Sequence, residues 1–122
     1  MTKNNKCVFC EIVKKKLPSN IVFEDKNFLA FLSIGAVSKG HTLLIPKKHF
    51  VDVFDFETEY LEKLMGTAQK IAKIIVKENK ATGINLLQAS GKDAEQSVFH
   101  FHLHLVPRYK NDGLKLWYKN KL

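Results

Sequence analysis

Residues 96–108 read Gln96-Ser97-Val98-Phe99-His100-Phe101-His102-Leu103-His104-Leu105-Val106-Pro107-Arg108. Three histidines alternate with apolar residues, a period-two pattern that predicts a half-buried β-strand. Successive strand side chains point to opposite faces, so His100, His102 and His104 share one face at a spacing of about 6.6 Å. Phe99, Phe101, Leu103 and Leu105 take the other side, towards the core. A helix would scatter the three imidazoles around its circumference. A lone strand histidine is most often structural. Three in register, out of five in the chain, point to chemistry. Pattern alone leaves two readings open: a multi-histidine metal site, or a nucleophilic or general acid–base cluster. Neighbouring imidazoles oppose each other's charging, which keeps at least one neutral and nucleophilic near neutral pH.

The chain around this stretch has 122 residues, enough for one domain that buries a core without disulfide staples. Its 45% hydrophobic and 26% charged content is ordinary for a globular protein. No apolar run approaches the roughly 20 residues that span a membrane. The polar opening Met1-Thr2-Lys3-Asn4-Asn5-Lys6 leads into no apolar signal region, so a cytoplasmic protein is expected. Net charge is +8, and 19 of the 20 basic residues are lysines, Arg108 being the exception. The lysines are spread along the chain without an aromatic stripe, so they read as a solvated surface and not as a nucleic-acid groove. Their field still favours anionic ligands. The two cysteines, Cys7 and Cys10, have a spacing that favours metal binding or redox chemistry over a structural disulfide.

Read in order, residues 1–6 form an arm expected to be flexible. Cys7 to Lys16 is a short helix ended at Pro18. Strands are expected at Ile21–Glu24, Phe28–Ile34, His41–Ile45 and Ile84–Ala89, with the histidine strand last. Thr58 to Asn79 is the one long helix. Leu61, Leu64, Met65, Ala68, Ile71, Ala72 and Ile75 recur at three- and four-residue steps and form its core stripe, leaving Lys63, Lys70, Lys73 and Lys77 outside. Residues 110–122 are a tail carrying Trp117. The expected fold is α+β: a five-stranded antiparallel sheet with one long and one short helix, both on one face.

The His-x-His-x-His motif behind Gln96-Ser97-Val98 resembles the signature of the histidine triad (HIT) family of nucleotide hydrolases and transferases. Cys7-Val8-Phe9-Cys10-Glu11-Ile12-Val13, Ala30-Phe31-Leu32 and Gly40-His41-Thr42-Leu43-Leu44-Ile45-Pro46-Lys47-Lys48-His49 resemble its other blocks, so the likeness covers nearly the whole chain. It lies nearest the Hint branch in its zinc-binding bacterial form. The resemblance implies a single HIT domain over 1–122. It implies a homodimer through the long helix and a sheet edge, and a purine nucleotide of the AMP type as substrate. His102 would be the nucleophile, its second ring nitrogen held by a main-chain carbonyl, with His104 beside the phosphate and His41 in support. Ser97 would stand near the α-phosphate or the leaving amine, and Gln96 and the main-chain N–H groups around Val98 would meet the phosphoryl charge. Phe9, Ile12, Phe31, Leu32, Ile34 and Leu43 are candidates for the base pocket. Cys7, Cys10, His49 and His100 would form a structural Cys2His2 zinc site.

Two positions depart from the family pattern. Ser33 stands where an acidic residue or asparagine usually holds the ribose hydroxyls, and one hydroxyl cannot chelate a diol as a carboxylate can. Ala89 stands where an asparagine or glutamine usually assists at the phosphate. Gln88 and Ser90 flank it on the other strand face. The expected activity is purine nucleoside phosphoramidase. The alternatives are a dinucleoside polyphosphate hydrolase and a nucleotide-binding scaffold with little catalysis, which the two departures favour. A single metal held by all three triad histidines is disfavoured by their strand pitch.

Overall fold

A sheet with two apolar faces needs two covers, and this chain supplies one helix for each. The computed structural model describes residues 7–119. The arm expected at residues 1–6 and the tail's last residues, 120–122, lie outside that range. The element order is α1 (Val8–Val13), β1 (Ile21–Glu24), β2 (Phe28–Leu32), β3 (Thr42–Pro46), α2 (Thr58–Asn79), β4 (Gly83–Gln88) and β5 (Leu103–Arg108). The strands form one sheet in the order β1-β2-β3-β5-β4, and every neighbouring pair is antiparallel.

The two helices lie on opposite faces, not on one as expected. Phe28, Ala30, Leu44, Leu103 and Leu105 pack with Leu64, Ala68, Ile71 and Ile75 of α2. The alternate residues Leu29, Phe31, Leu43 and Ile45 pack with Phe9 and Ile12 of α1. Covering both faces explains why β2 and β3 read as continuous apolar runs without alternation. The strand assigned to Phe28–Ile34 stops at Leu32, and the third strand takes in Pro46. Each buried Leu, Ile or Phe in these layers contributes about 1.5–3 kcal/mol of hydrophobic stabilisation.

The α2 stripe has one member out of place. Met65 is 56% exposed, because the core-facing arc is defined by Leu64, Ala68, Ile71 and Ile75, and the position after Leu64 is rotated about 100° from it.

The histidine strand begins late. Phe101 N–H donates to the Phe50 carbonyl at 2.7 Å, and His100 Nε2–H donates to the Pro46 carbonyl at 2.8 Å. These bonds draw residues 98–102 onto the loop after β3 and out of the ladder. Only His104 of the three lies on β5 itself, so the even 6.6 Å pitch does not hold. The alternation survives the bend: Phe101, Leu103 and Leu105 enter the α2 core, while Phe9 of α1 lies edge-on to His100 and His102. Phe99 is the exception. It was expected in the core and is 49% exposed.

Two further devices fix the frame. Gly40 has φ +90, and a Cβ there would meet Asn79 Nδ2 at 2.6 Å, so the loop before His41 sits directly on the end of α2. Arg108 closes the far end of β5. Its Nε and Nη2 donate to the two carboxylate oxygens of Asp112, its Nη1 to Asn85 Oδ1, and Nη2 also to the Leu114 carbonyl.

Candidate active site and metal centre

His100 is fully buried, and its ring orientation follows from its bonds. With Nε2–H on the Pro46 carbonyl, a neutral ring carries its lone pair on Nδ1. That atom faces Cys7 Sγ at 3.4 Å, Cys10 Sγ at 3.6 Å and His49 Nδ1 at 3.1 Å. Cys10 Sγ lies 3.2 Å from His49 Nδ1. Among the described residues these four form a cluster whose ligand atoms all lie within 4.8 Å of one another. Ordinary zinc bond lengths place tetrahedral neighbours about 3.3 Å apart for two nitrogens and about 3.6 Å apart for sulfur and nitrogen. The four separations given, 3.1 to 3.6 Å, lie within about 0.4 Å of those edges, so the donor set fits zinc in number and chemistry. Burial, with Cys7 beside it, pushes the Cys10 thiol up to about 12. A divalent cation reverses that preference by binding the thiolate. Cys7 also begins α1, its sulfur accepting the Cys10 N–H at 3.3 Å. The Cys-x-x-Cys spacing therefore puts both sulfurs on the inner side of one helical turn.

The same His100 sets the next histidine. Its carbonyl accepts the Nδ1–H of His102 at 2.9 Å, which leaves the His102 lone pair on Nε2. Burial lowers the His102 pKa, opposed by that hydrogen bond. The ring is neutral at neutral pH, with one nitrogen held and the other available, as a nucleophilic imidazole requires.

A second relay runs in from the other side. Val37 N–H donates to His41 Nδ1 at 3.1 Å, so His41 carries its proton on Nε2. That nitrogen lies 3.0 Å from His104 Nδ1, which must then be the acceptor. His104 in turn carries its proton on Nε2 and presents a donor. Its ring stands 5.0 Å from that of His102, centre to centre. A backbone amide thus sets the tautomer of two imidazoles in sequence, a constraint with no signature in side-chain spacing.

Other expected site residues divide. Ile12, Phe31, Leu32, Ser33 and Ile34 line one cleft of about 400 Å³, together with Pro18, Ser19 and Asn20. Phe9 and Leu43 do not line it; they are buried in the apolar layer beneath. Ser97 and Val98 line a different cleft. Gln96, expected at the phosphoryl group, makes three backbone contacts here. Its amide donates to the carbonyls of Val51 and Val98, and its oxygen accepts the Gly91 N–H. These bonds brace the loop between Val51, Gly91 and Val98. Gln88 and Ser90 do not stand in at Ala89 either: Ser90 Oγ donates to Gln88 Oε1 and accepts the Val53 N–H.

Known proteins resemble the chain over most of its length. The HIT domain family matches residues 14–111. The "Protein hit" of Bacillus subtilis is 46% identical over 88% of this chain and 74% of its own. The solved structure of a zinc-bound histidine triad family protein from Mycobacterium smegmatis superposes with a TM-score of 0.88 at 39% identity, over 97% of this chain and 86% of that one. A histidine triad nucleotide-binding protein from Candida albicans gives 0.83 at 30% identity, over 96% of this chain and 85% of that one.

The buried relay makes stability pH-dependent. Burial holds His104 down to about 4, with repulsion from His102 and His41 adding to it, and burial lowers His41 as well. Histidines of the unfolded chain titrate near 6.5, so between those values the unfolded state binds more protons. Stability is therefore full above about pH 6.5 and falls as the pH drops towards about 4. Urea midpoints taken from about pH 7.5 to about 4.5 are expected to decline with acid, and His104→Asn to flatten the decline. An unchanged slope in that variant would remove His104 as a source.

Proposed function

The chain belongs to the histidine triad family, a family of nucleotide-binding, hydrolase-type proteins, and from that premise we propose that it is a purine nucleoside phosphoramidase. The observation that carries this reading is the pair of fixed tautomers: a lone pair on His102 Nε2 beside a proton on His104 Nε2.

In the proposed reaction His102 Nε2 attacks the α-phosphorus of a nucleoside 5′-phosphoramidate. An N–P bond forms as the bond to the leaving nitrogen breaks. That nitrogen, protonated from solvent, departs with the electron pair as a neutral amine. The imidazole keeps its Nδ1 proton on the His100 carbonyl throughout. Water then attacks the phosphorus, the N–P pair returns to Nε2, and the water's proton goes back to solvent. The products are a nucleoside monophosphate and an amine. His104 Nε2–H stabilises the phosphoryl oxygens as negative charge develops on them. The purine nucleoside occupies the cleft of Ile12, Phe31, Leu32 and Ile34, where Ser33, Ser19 and Asn20 supply neutral polar groups for the ribose. Release of AMP from adenosine 5′-phosphoramidate tests the reading. His102→Ala is expected to lower turnover at least about a thousandfold while retaining the fold and AMP binding. Turnover preserved in the variant would eliminate the mechanism.

Cys7, Cys10, His49 and His100 would hold zinc in a closed protein shell, which makes the site structural. Zinc there supplies a cross-link between α1 and the segment carrying His102. Metal analysis is expected to give one zinc per chain. Cys10→Ser is expected to lose it and to lower the Tm by several degrees; a full complement of zinc in that variant would exclude the assignment.

Pairing of two chains would use α2 and the edge strand β4. Met65 at 56% exposure and Leu86 at 39% leave apolar surface beside that edge, around a depression also lined by Gly66 and Ala72. Sedimentation velocity is expected to show a dimer for the protein and a single chain for Met65→Glu. A wild-type monomer at tens of micromolar would contradict it.

A further inference from the structure

The loop between β2 and β3 brings His41 to His104, and hydrogen bonds hold it more than burial does. Residues 34–37 are all exposed. Ser38 Oγ–H donates to the Pro107 carbonyl at 2.7 Å, and the Ser38 carbonyl accepts the His41 N–H at 3.2 Å. The bond to Pro107 fills a gap in the sheet. β3 pairs with β5 only as far as Thr42 with Leu105, two residues short of Pro107. The Arg108 carbonyl accepts the Thr82 N–H at the β4 edge, so by strand alternation the Pro107 carbonyl points the other way, past the start of β3. Pro107 is buried, and a buried carbonyl needs a donor. The Ser38 hydroxyl is that donor. Because β5 also carries His104, Ser38 ties the turn that holds His41 to the strand that holds its partner ring.

The neutral His41–His104 pair has two arrangements, each with a single N–H···N bond between the rings. In one, His41 Nε2–H donates to His104 Nδ1. In the other, His104 Nδ1–H donates to His41 Nε2, and His104 Nε2 becomes a bare acceptor. The inner bond is of the same kind in both, so it does not choose between them. The Val37 amide does. Its N–H, 3.1 Å from His41 Nδ1, needs a lone pair there, and in the second arrangement it would face another N–H. The Val37 side chain is 48% exposed, so packing does not fix that amide. The bond that its neighbour Ser38 makes to β5 does.

We propose that Ser38 is a positioning residue: its bond to Pro107 keeps the Val37 amide on His41 and so selects, of the two tautomeric settings of the His41–His104 pair, the one that presents a proton at His104 Nε2. The selection of tautomers is independent of the phosphoramidase reading. Its consequence for turnover rests on that reading.

Two-bond proton–nitrogen spectra of the histidine rings, taken at about pH 7.5 where imidazoles are neutral, read the tautomers directly. His41→Asn and His104→Asn identify the two rings by their absence. In the wild type both are expected as Nε2–H, with a coupling across the hydrogen bond between the Val37 nitrogen and His41 Nδ1. Ser38→Ala is expected to lose that coupling. It is expected to move the averaged shifts of both rings together towards the Nδ1–H form, by at least about a fifth of the full difference. Ser38→Thr keeps the hydroxyl and is expected to keep the wild-type spectrum. Ser38→Cys, a weaker donor of similar size, is expected to fall between them and decides the matter if the alanine variant does not fold. Ile71→Val loosens the α2 core instead and is expected to leave both rings as Nε2–H. An Nδ1–H ring at either position in the wild type, rings that stay wholly Nε2–H without the Ser38 hydroxyl, or the same shift in Ile71→Val would overturn the proposal. With adenosine 5′-phosphoramidate, kcat of Ser38→Ala is expected to fall in proportion to the Nε2–H form lost, with KM within about twofold. A tautomer shift with kcat unchanged would support the positioning role and overturn the part given to His104 in the reaction.

Discussion

One imidazole, that of His100, is committed at three points, and the site is built outward from it. Nε2 is fixed on the Pro46 carbonyl, Nδ1 faces the two sulfurs and His49, and the main-chain carbonyl holds His102. The residue is fully buried, so each of those groups needs its partner. The end of β3, the first turn of α1 and the tautomer of His102 are thereby coupled through five ring atoms and one peptide. A six-residue helix has no stability of its own in water. Here its sulfurs and its Phe9 ring give α1 a place, and its place in turn roofs His102.

Much of this was legible in the sequence because it depends on period. The long helix runs from Thr58 to Asn79 as the three- and four-residue spacing of its apolar residues requires, and β1 falls at Ile21–Glu24. The candidate ligands were legible as residue types, Cys-x-x-Cys with two histidines, and the fold brings all four together. What stayed hidden is what backbone groups decide. No pattern announces that Phe101 N–H will find Phe50, so the extent of the last strand and the direction of Phe99 were misread. No side-chain spacing reveals that Val37 N–H sets His41, and through it His104. Gln96 stands in the motif where a phosphate contact is expected, and its three backbone partners could be found only in the fold. Local alternation separated the histidines from Phe101, Leu103 and Leu105 and was silent about the peptide bonds that aim them.

The electrostatics of the site contrast with those of the chain. Nineteen lysines give the chain its positive charge, yet none of those among the described residues lines either cleft beside α1. Anion attraction is a long-range property of the whole surface, while the clefts themselves are apolar with neutral polar groups. Both His102 and His104 are kept neutral by burial, so the polarity between them comes from proton placement, a lone pair on His102 Nε2 and a proton on His104 Nε2. Ser33 in the place of an acid fits that scheme, since it adds no negative charge to the cleft it lines.

The Arg108 clamp has a practical consequence. Its bidentate bond to Asp112 and its further bonds to Asn85 and Leu114 depend on a planar fork that lysine lacks. It is the one basic side chain on which the register of the chain end relies. The lysines that do form ion pairs, Lys15 and Lys47 with Glu24 and Lys48 with Glu57, are partly exposed, and pairs of that kind contribute little. Amine-directed chemistry, such as attachment of a fluorophore or of a surface linker, therefore acts on the outer charge alone. It can immobilise or label the protein while both clefts and the latch at the end of β5 keep their native groups.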